Sequence, residues 1–163
     1  MESRAPIPLL RWPDVVEIIR LGQLQLLGRS DVQQEEYDRF RSQTKQNWLT
    51  MSDFILVNKF GLNFLSDEVT GKRIADRTEL CSYGDRISVR PNDYPYNFEP
   101  GIKHFIVWKI GSQLTDDEID IATKDISESL ANVVDSAMYV NPPHLKSIPD
   151  VDHAHVLFYC KDK

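Results

Sequence analysis

Two histidines one residue apart, His153 and His155, open the last apolar run of the chain, His153-Ala154-His155-Val156-Leu157-Phe158-Tyr159-Cys160. Alternate side chains of a strand share a face. His153, His155, Leu157 and Tyr159 therefore stand opposite Ala154, Val156, Phe158 and Cys160, and the second set, apolar or small, belongs against a core. The two imidazoles lie about 6–7 Å apart along such a strand. At that spacing they can grip one anion or metal, or divide nucleophile and positioning roles. Upstream, His104, Ile106, Trp108 and Ile110 share a face of a second strand-like run. If the two runs are neighbours, three of the four histidines converge beside an indole. Imidazole titrates near neutral pH, which suits acid–base or nucleophilic work on a phosphoester, so His155, His153 and His104 are the catalytic candidates. Three imidazoles with an open fourth position would also serve Zn²⁺. No acidic partner can be assigned to such a site, and Asp150 or Asp152 can orient an imidazole instead. The expectation is no metal and no cofactor.

A second cluster is Arg90-Pro91-Asn92-Asp93-Tyr94-Pro95-Tyr96, where a guanidinium, an amide and aromatic rings sit beside a proline-stiffened turn. The planar fork of arginine pairs with phosphate or carboxylate. Asn92 and Asp93 are equally explained as turn formers bonding their own backbone. Asn141-Pro142-Pro143 and Lys146-Ser147 precede the histidine strand, and strand termination explains them as well as ligand binding does. The ligand-binding candidates are Arg90, Asn92, Trp108, Asn141 and Ser147. Glycine-rich phosphate loops, CxxC, HExxH and GxSxG are missing from the sequence.

The elements that must position these residues are mostly readable. Pro13 starts a helix whose stripe is Val15, Val16 and Ile19, with Gly28 as its stop. Ser30 and Gln33 form a capping box ahead of Tyr37, Phe40, Thr44 and Trp48 at helical spacing. Ser52 caps a short buried helix running through Phe60 to Gly61. Residues 61–85 read as a long polar connection. Residues 86–90 alternate as a half-buried strand, and prolines exclude a strand through 91–101. Lys103 to Ile110 is a strand. Thr115-Asp116-Asp117-Glu118 caps a helix carrying Ile119, Ala122, Ile126, Leu130 and Val133, which should run to about Asp135. A short strand, Ala137 to Val140, precedes the last strand from His153 to Cys160. The expected class is α+β: a single domain over 1–163 with a helical part (1–61) and a sheet-and-helix part (86–160). Its largely antiparallel sheet of about four or more strands should carry the N-terminal helical layer and one long helix, with the helices on one side.

Composition narrows the partners. With 19 basic and 25 acidic residues the net charge is −6, and the basic residues are scattered, which argues against nucleic acid and anionic membrane surfaces. The longest aliphatic or aromatic runs, such as Phe54-Ile55-Leu56-Val57, are four residues, far below the ~20 residues a membrane span needs. Pro6 and Pro8 stand where a secretory signal would have its apolar core. Cys81 and Cys160 are far apart in sequence and read as free thiols of a cytoplasmic protein. Oligomeric state is not legible.

The ordered motifs Arg90-Pro91-Asn92-Asp93-Tyr94-Pro95-Tyr96, Pro100-Gly101-Ile102-Lys103-His104 with Trp108, Asn141-Pro142-Pro143 with Ser147 and Pro149, and His153-Ala154-His155-Val156 resemble the fungal N-acetylglucosamine-induced protein family. The resemblance implies a cytosolic protein linked to amino-sugar response, with no reaction attached. The order of a histidine strand, a capped helix, a strand ending in Asn-Pro and then His-x-His is more weakly similar to the histidine-triad and hexose-1-phosphate uridylyltransferase group. That similarity implies His155 as nucleophile and His153 as its positioning partner, although Leu157 stands at the third triad position. The combined expectation is a small polar ligand, a sugar phosphate or nucleotide sugar, in a histidine-rich pocket. The alternative is a noncatalytic protein that docks partners through residues 61–101.

Overall fold

A computed structural model of the chain describes residues 5–80, 84, 86–146, 148 and 151–162. Among them the helices are α1 (Trp12–Arg20), α2 (Asp31–Asn47), α3 (Met51–Phe60) and α4 (Asp116–Ser129). The strands are β1 (Phe64–Ser66), β2 (Arg73–Ala75), β3 (Arg86–Pro91), β4 (Ile102–Ile110), β5 (Val133–Tyr139) and β6 (Asp152–Cys160). The last four strands form one antiparallel sheet in the order β3-β4-β6-β5, and β1 and β2 form a separate antiparallel hairpin. The class is α+β with antiparallel sheet, as the element pattern predicts.

Side chains directly opposite each other in an antiparallel pair share a face, so the register decides what each face carries. Trp108 pairs with His153 and Ile106 with His155 across β4 and β6, and Tyr139 of β5 pairs with His155 from the other side. The reverse face presents Val107, Ala154, Val156 and Phe158, which pack against Ile119, Ala122 and Ile126 of α4. Lys109 adds an ion pair of 2.7 Å to Glu118 there. On the histidine face, Trp108 and Ile110 pack against Ile55, Leu56 and Phe60 of α3. Leu157, Ile102 and Tyr139 on that face pack against Trp12, Val15 and Ile18 of α1. Helices therefore cover both faces, not one. Every residue of β6 from His153 to Phe158 is buried, and the apolar stripes of the N-terminal helices find their partner on the face that α4 leaves open.

Local chemistry moves several boundaries. α1 ends at Leu21, before left-handed Gly22, well short of Gly28. α3 is capped by Thr50 rather than Ser52: the Thr50 hydroxyl accepts from the Asp53 N–H while the Asp53 carboxylate bonds back to the Thr50 N–H. α4 stops at Ser129 and β5 starts at Val133, because Asn132 adopts a left-handed turn (φ 60°) between them. Leu130 and Val133 keep helical spacing only by coincidence. Residues 61–85, expected to be a connection, hold the β1–β2 hairpin and a 3-10 turn at Arg77–Glu79. The Asp67 carboxylate accepts from the Thr70 N–H and hydroxyl to close the hairpin. Cys81 lies outside the described residues.

Asp53 ties this hairpin to α3. It is 1% exposed and accepts from the Thr50 hydroxyl at 2.6 Å, the Ala75 N–H at 3.0 Å and the Arg77 guanidinium. Burial alone would push its pKa up, but these bonds outweigh burial and hold the carboxyl below its ordinary range. Asp53→Asn keeps the shape and removes the charge that Arg77 and the Ala75 N–H address. It should lower the unfolding free energy by about 2 kcal/mol, measured by urea denaturation, and a change within error would show that the hairpin docks without it.

Candidate functional site

The β4–β6 register brings three imidazoles and an indole together beneath the N-terminal helices. His104 Nε2 and His155 Nδ1 lie 2.8 Å apart, and His153 stacks at a tilt on Trp108 with centroids 4.7 Å apart. Tyr139 lies parallel to His155 (3°, 4.6 Å). Above Ile106, Trp108, His153 and His155 is a cavity of about 60 Å³. Its roof comes from Tyr37 and Phe40 of α2 with Phe54 and Ile55 of α3, and its side from Asn92, Tyr94 and Tyr96. His104 stands behind His155 and does not line it. The volume has room for a compact polar group of a few heavy atoms.

The wall also holds the Lys59–Asp93 ion pair (2.8 Å) and Arg29, from the segment between α1 and α2. Its Nε donates to the Tyr94 carbonyl at 2.9 Å, and its guanidinium carbon sits 3.8 Å over the Tyr37 ring and 5.1 Å from that of Tyr96. Among the described residues no carboxylate forms an ion pair with it. Burial lowers its pKa, opposed by Tyr96, Tyr37, Tyr139 and Asp38. A guanidinium still stays charged at any ordinary pH.

A backbone carbonyl fixes the tautomer of His153. The Val151 carbonyl, 2.9 Å from His153 Nδ1, can only accept, so His153 carries its proton there. Its Nε2 is then a bare lone pair, with no described residue bonded to it. His155 Nδ1 and His104 Nε2 share one hydrogen bond, and the outer nitrogens of the pair face amide nitrogens, His155 Nε2 that of Asn141 at 3.5 Å and His104 Nδ1 that of Asn92 at 3.4 Å. Burial depresses all three rings. His104 is held down to about 3, with the Arg29 charge as second cause. His155 lies well below its ordinary value through burial, His104, His153 and Arg29. His153 is lowered by burial despite its bond to Val151. The Tyr139 hydroxyl is buried without a hydrogen bond of good geometry among the described residues, and burial with the neighbouring Tyr96 phenol pushes its pKa well up.

The sequence candidates divide accordingly. His104, His153, His155, Trp108 and Asn141 come together, and Asn92 joins them while also forming its turn: its side-chain oxygen accepts from the Tyr94 N–H at 3.0 Å and its amide nitrogen sits 3.4 Å from His104 Nδ1. Arg90 stands exposed on edge strand β3, away from the cavity wall. Ser147 lies outside the described residues, as do Pro149 and Asp150. Among the described residues no three histidine, cysteine or acidic side chains are grouped to hold a metal ion. Sequence reasoning missed Arg29 altogether, since it stands between a glycine and a helix cap with no motif around it, and it gave no role to Tyr139.

A sheet carrying buried neutral histidines beneath the N-terminal helices defines an α+β protein with a histidine-lined pocket. The chain belongs to the family described as "Protein of unknown function (DUF3605)", whose model matches residues 11–159. It is 29% identical to "Uncharacterized protein YPL067C" of Saccharomyces cerevisiae, covering 91% of this chain and 78% of that protein. It is 31% identical to "N-acetylglucosamine-induced protein 1" of Candida albicans, covering 60% of this chain and 42% of that protein. The crystal structure of HTC1 shares the fold, with a TM-score of 0.59 and 23% identity over 93% of this chain and 85% of that one. Nothing in these matches supports the histidine-triad similarity, and with it goes the ground for making His155 the nucleophile. Among the described residues no helix is long and apolar enough to cross a membrane.

The depressed pKa values set a pH dependence. Unfolded histidines titrate near 6.5 and the folded rings far lower, so below about 6.5 the unfolded chain binds more protons. Stability is complete above that pH and falls as pH drops toward the folded pKa values, by up to about 1.4 kcal/mol per pH unit for each ring. The urea midpoint should therefore fall steeply between about pH 6.5 and 4, and less steeply in His104→Asn. An identical slope in the variant would show that His104 titrates normally in the folded chain.

Proposed function

We propose that this chain is a cytosolic protein that binds a small polar ligand, a sugar phosphate or nucleotide sugar, with a compact head group of that ligand in the histidine cavity. One observation carries the reading: a guanidinium without a carboxylate partner among the described residues shares a cavity with buried neutral imidazoles. Arg29 is partly buried and held only by the Tyr94 carbonyl and aromatic faces, and a ligand anion would supply the charged partner it lacks. Enclosed pockets with a few convergent polar groups are the usual form of small-molecule sites. The name of the Candida albicans relative, which records induction by N-acetylglucosamine, supports an amino-sugar source. The chemistry such a site supports is histidine-dependent hydrolysis or transfer on a phosphoester. His153 suits the base better than His155, because its Nε2 lone pair is unshared while both His155 nitrogens have partners.

A second reading has its own observation. The β1–β2 hairpin exposes Phe64, Leu65 and Val69, the last at 93%, as a partner-docking element would. A melting screen separates the two, because a ligand that binds only the native state raises the melting point, by about 2.7 kcal/mol at a hundred times Kd. Against sugar phosphates, nucleotide sugars and divalent metals, at least one phosphorylated sugar should raise it by several degrees. The rise should vanish in His153→Ala and Trp108→Leu and persist in Val69→Ser. No shift with any compound would overturn the ligand reading and favour docking by the hairpin.

A further inference from the structure

Next to the histidine cavity is a larger cleft of about 430 Å³, and Arg29, Tyr37 and Tyr96 line both. The cleft adds Arg41, Gln34 and Asn141. We infer that this cleft is a phosphate subsite, in which a phosphomonoester or diphosphate group is held between the Arg29 and Arg41 guanidiniums while the rest of the ligand reaches toward the histidines. The inference rests on the ligand reading above for its second half; phosphate binding between the arginines stands without it.

Three observations carry it. First, the two guanidiniums flank one ring, with their central carbons 3.8 Å (Arg29) and 5.8 Å (Arg41) from the centre of Tyr37. Two cations gathered round one residue of a chain with net charge −6 repel each other unless an anion joins them. Second, among the described residues Arg41 Nε is buried without a hydrogen-bond partner, Arg29 bonds only through its Nε, to the Tyr94 carbonyl, and neither side chain has an ion pair. The nearby acids do not supply one. Asp38 accepts from the Gln34 amide at 2.9 Å, and Asp31, the acidic residue on the cleft wall, is exposed in the first turn of α2. Third, size divides the work. The histidine cavity is too small for a sugar with its phosphate, whereas the cleft has room for the phosphorylated part. Asn141, which bonds His155, lies on the cleft wall and joins the two compartments.

Phosphate rather than carboxylate fits the donor count. A carboxylate offers one edge of two oxygens to an arginine fork, while the three terminal oxygens of a phosphomonoester offer a separate edge to each of two forks. The site needs no metal and no covalent step.

The test uses inorganic phosphate and pyrophosphate as probes, read by ³¹P line broadening and titration calorimetry on the full chain. Both should bind the wild type, and Arg41→Met should weaken them at least tenfold. Arg41 is half-buried and makes no ion pair among the described residues, so this variant should keep its melting point. Arg39→Met, which removes an exposed charge from the same helix, should bind like wild type. Equal loss in Arg39→Met and Arg41→Met would reduce the effect to net charge and overturn the subsite, as would equal binding of malonate or no binding at all. Trp108→Leu should leave phosphate binding intact. Retained phosphate binding with no effect of His153→Ala or Trp108→Leu on sugar-phosphate binding would sink the histidine-cavity reading alone. The reverse pattern would sink the subsite alone.

Discussion

Antiparallel pairing of β4 with β6 is the constraint on which everything else in this molecule rests. That one register places Trp108 beside His153 and Ile106 beside His155, and it turns three imidazoles toward the layer formed by the N-terminal helices. A slip of one residue would exchange the faces, sending the rings under α4 and Val156 and Phe158 toward α2 and α3. Buried polar clusters seldom pay for themselves in stability; apolar side chains of similar shape would do as well or better. Three adjacent histidines kept neutral by desolvation are thus a cost that the fold carries, offset by the apolar contacts of α1, α3 and α4.

The arginine at position 29 changes the electrostatics of that cluster. Its charge helps to depress the His104 and His155 pKa values, so cation and imidazoles work in one direction: the rings stay unprotonated, and Arg29 is the cavity-lining cation without an ion pair among the described residues, since Lys59 pairs with Asp93. Its partners are a carbonyl and aromatic faces, which orient it without neutralising it. The surface is acidic while this interior corner is cationic, a contrast that composition averages away.

Period-two alternation in β4 and β6 was enough to anticipate which residues share the histidine face, and the Ser30 and Thr115 caps marked their helix starts within a residue. Failures came where a local signal had two readings. Leu130 and Val133 continue a helical spacing across Asn132, whose left-handed turn has no signature beyond the asparagine itself. Thr50 and Ser52 are both good caps, and the choice was made by Asp53, through contacts to β2 distant in sequence. Helices on both faces could not be inferred because a buried polar face and a solvated one read alike in sequence. Arg29 was invisible for the same reason: its meaning comes from Tyr37, Tyr94 and Tyr96, which only tertiary structure brings to it.

The strand order β3-β4-β6-β5 puts the latest of these four strands in sequence in an interior position. During translation β4 waits with one edge unpaired, and β5, whose sole described neighbour in the sheet is β6, has nothing to join. The pocket cannot exist until residues 152–160 slot between them, so a chain grown only as far as β5 carries two open strand edges, of the kind that invite pairing with other chains.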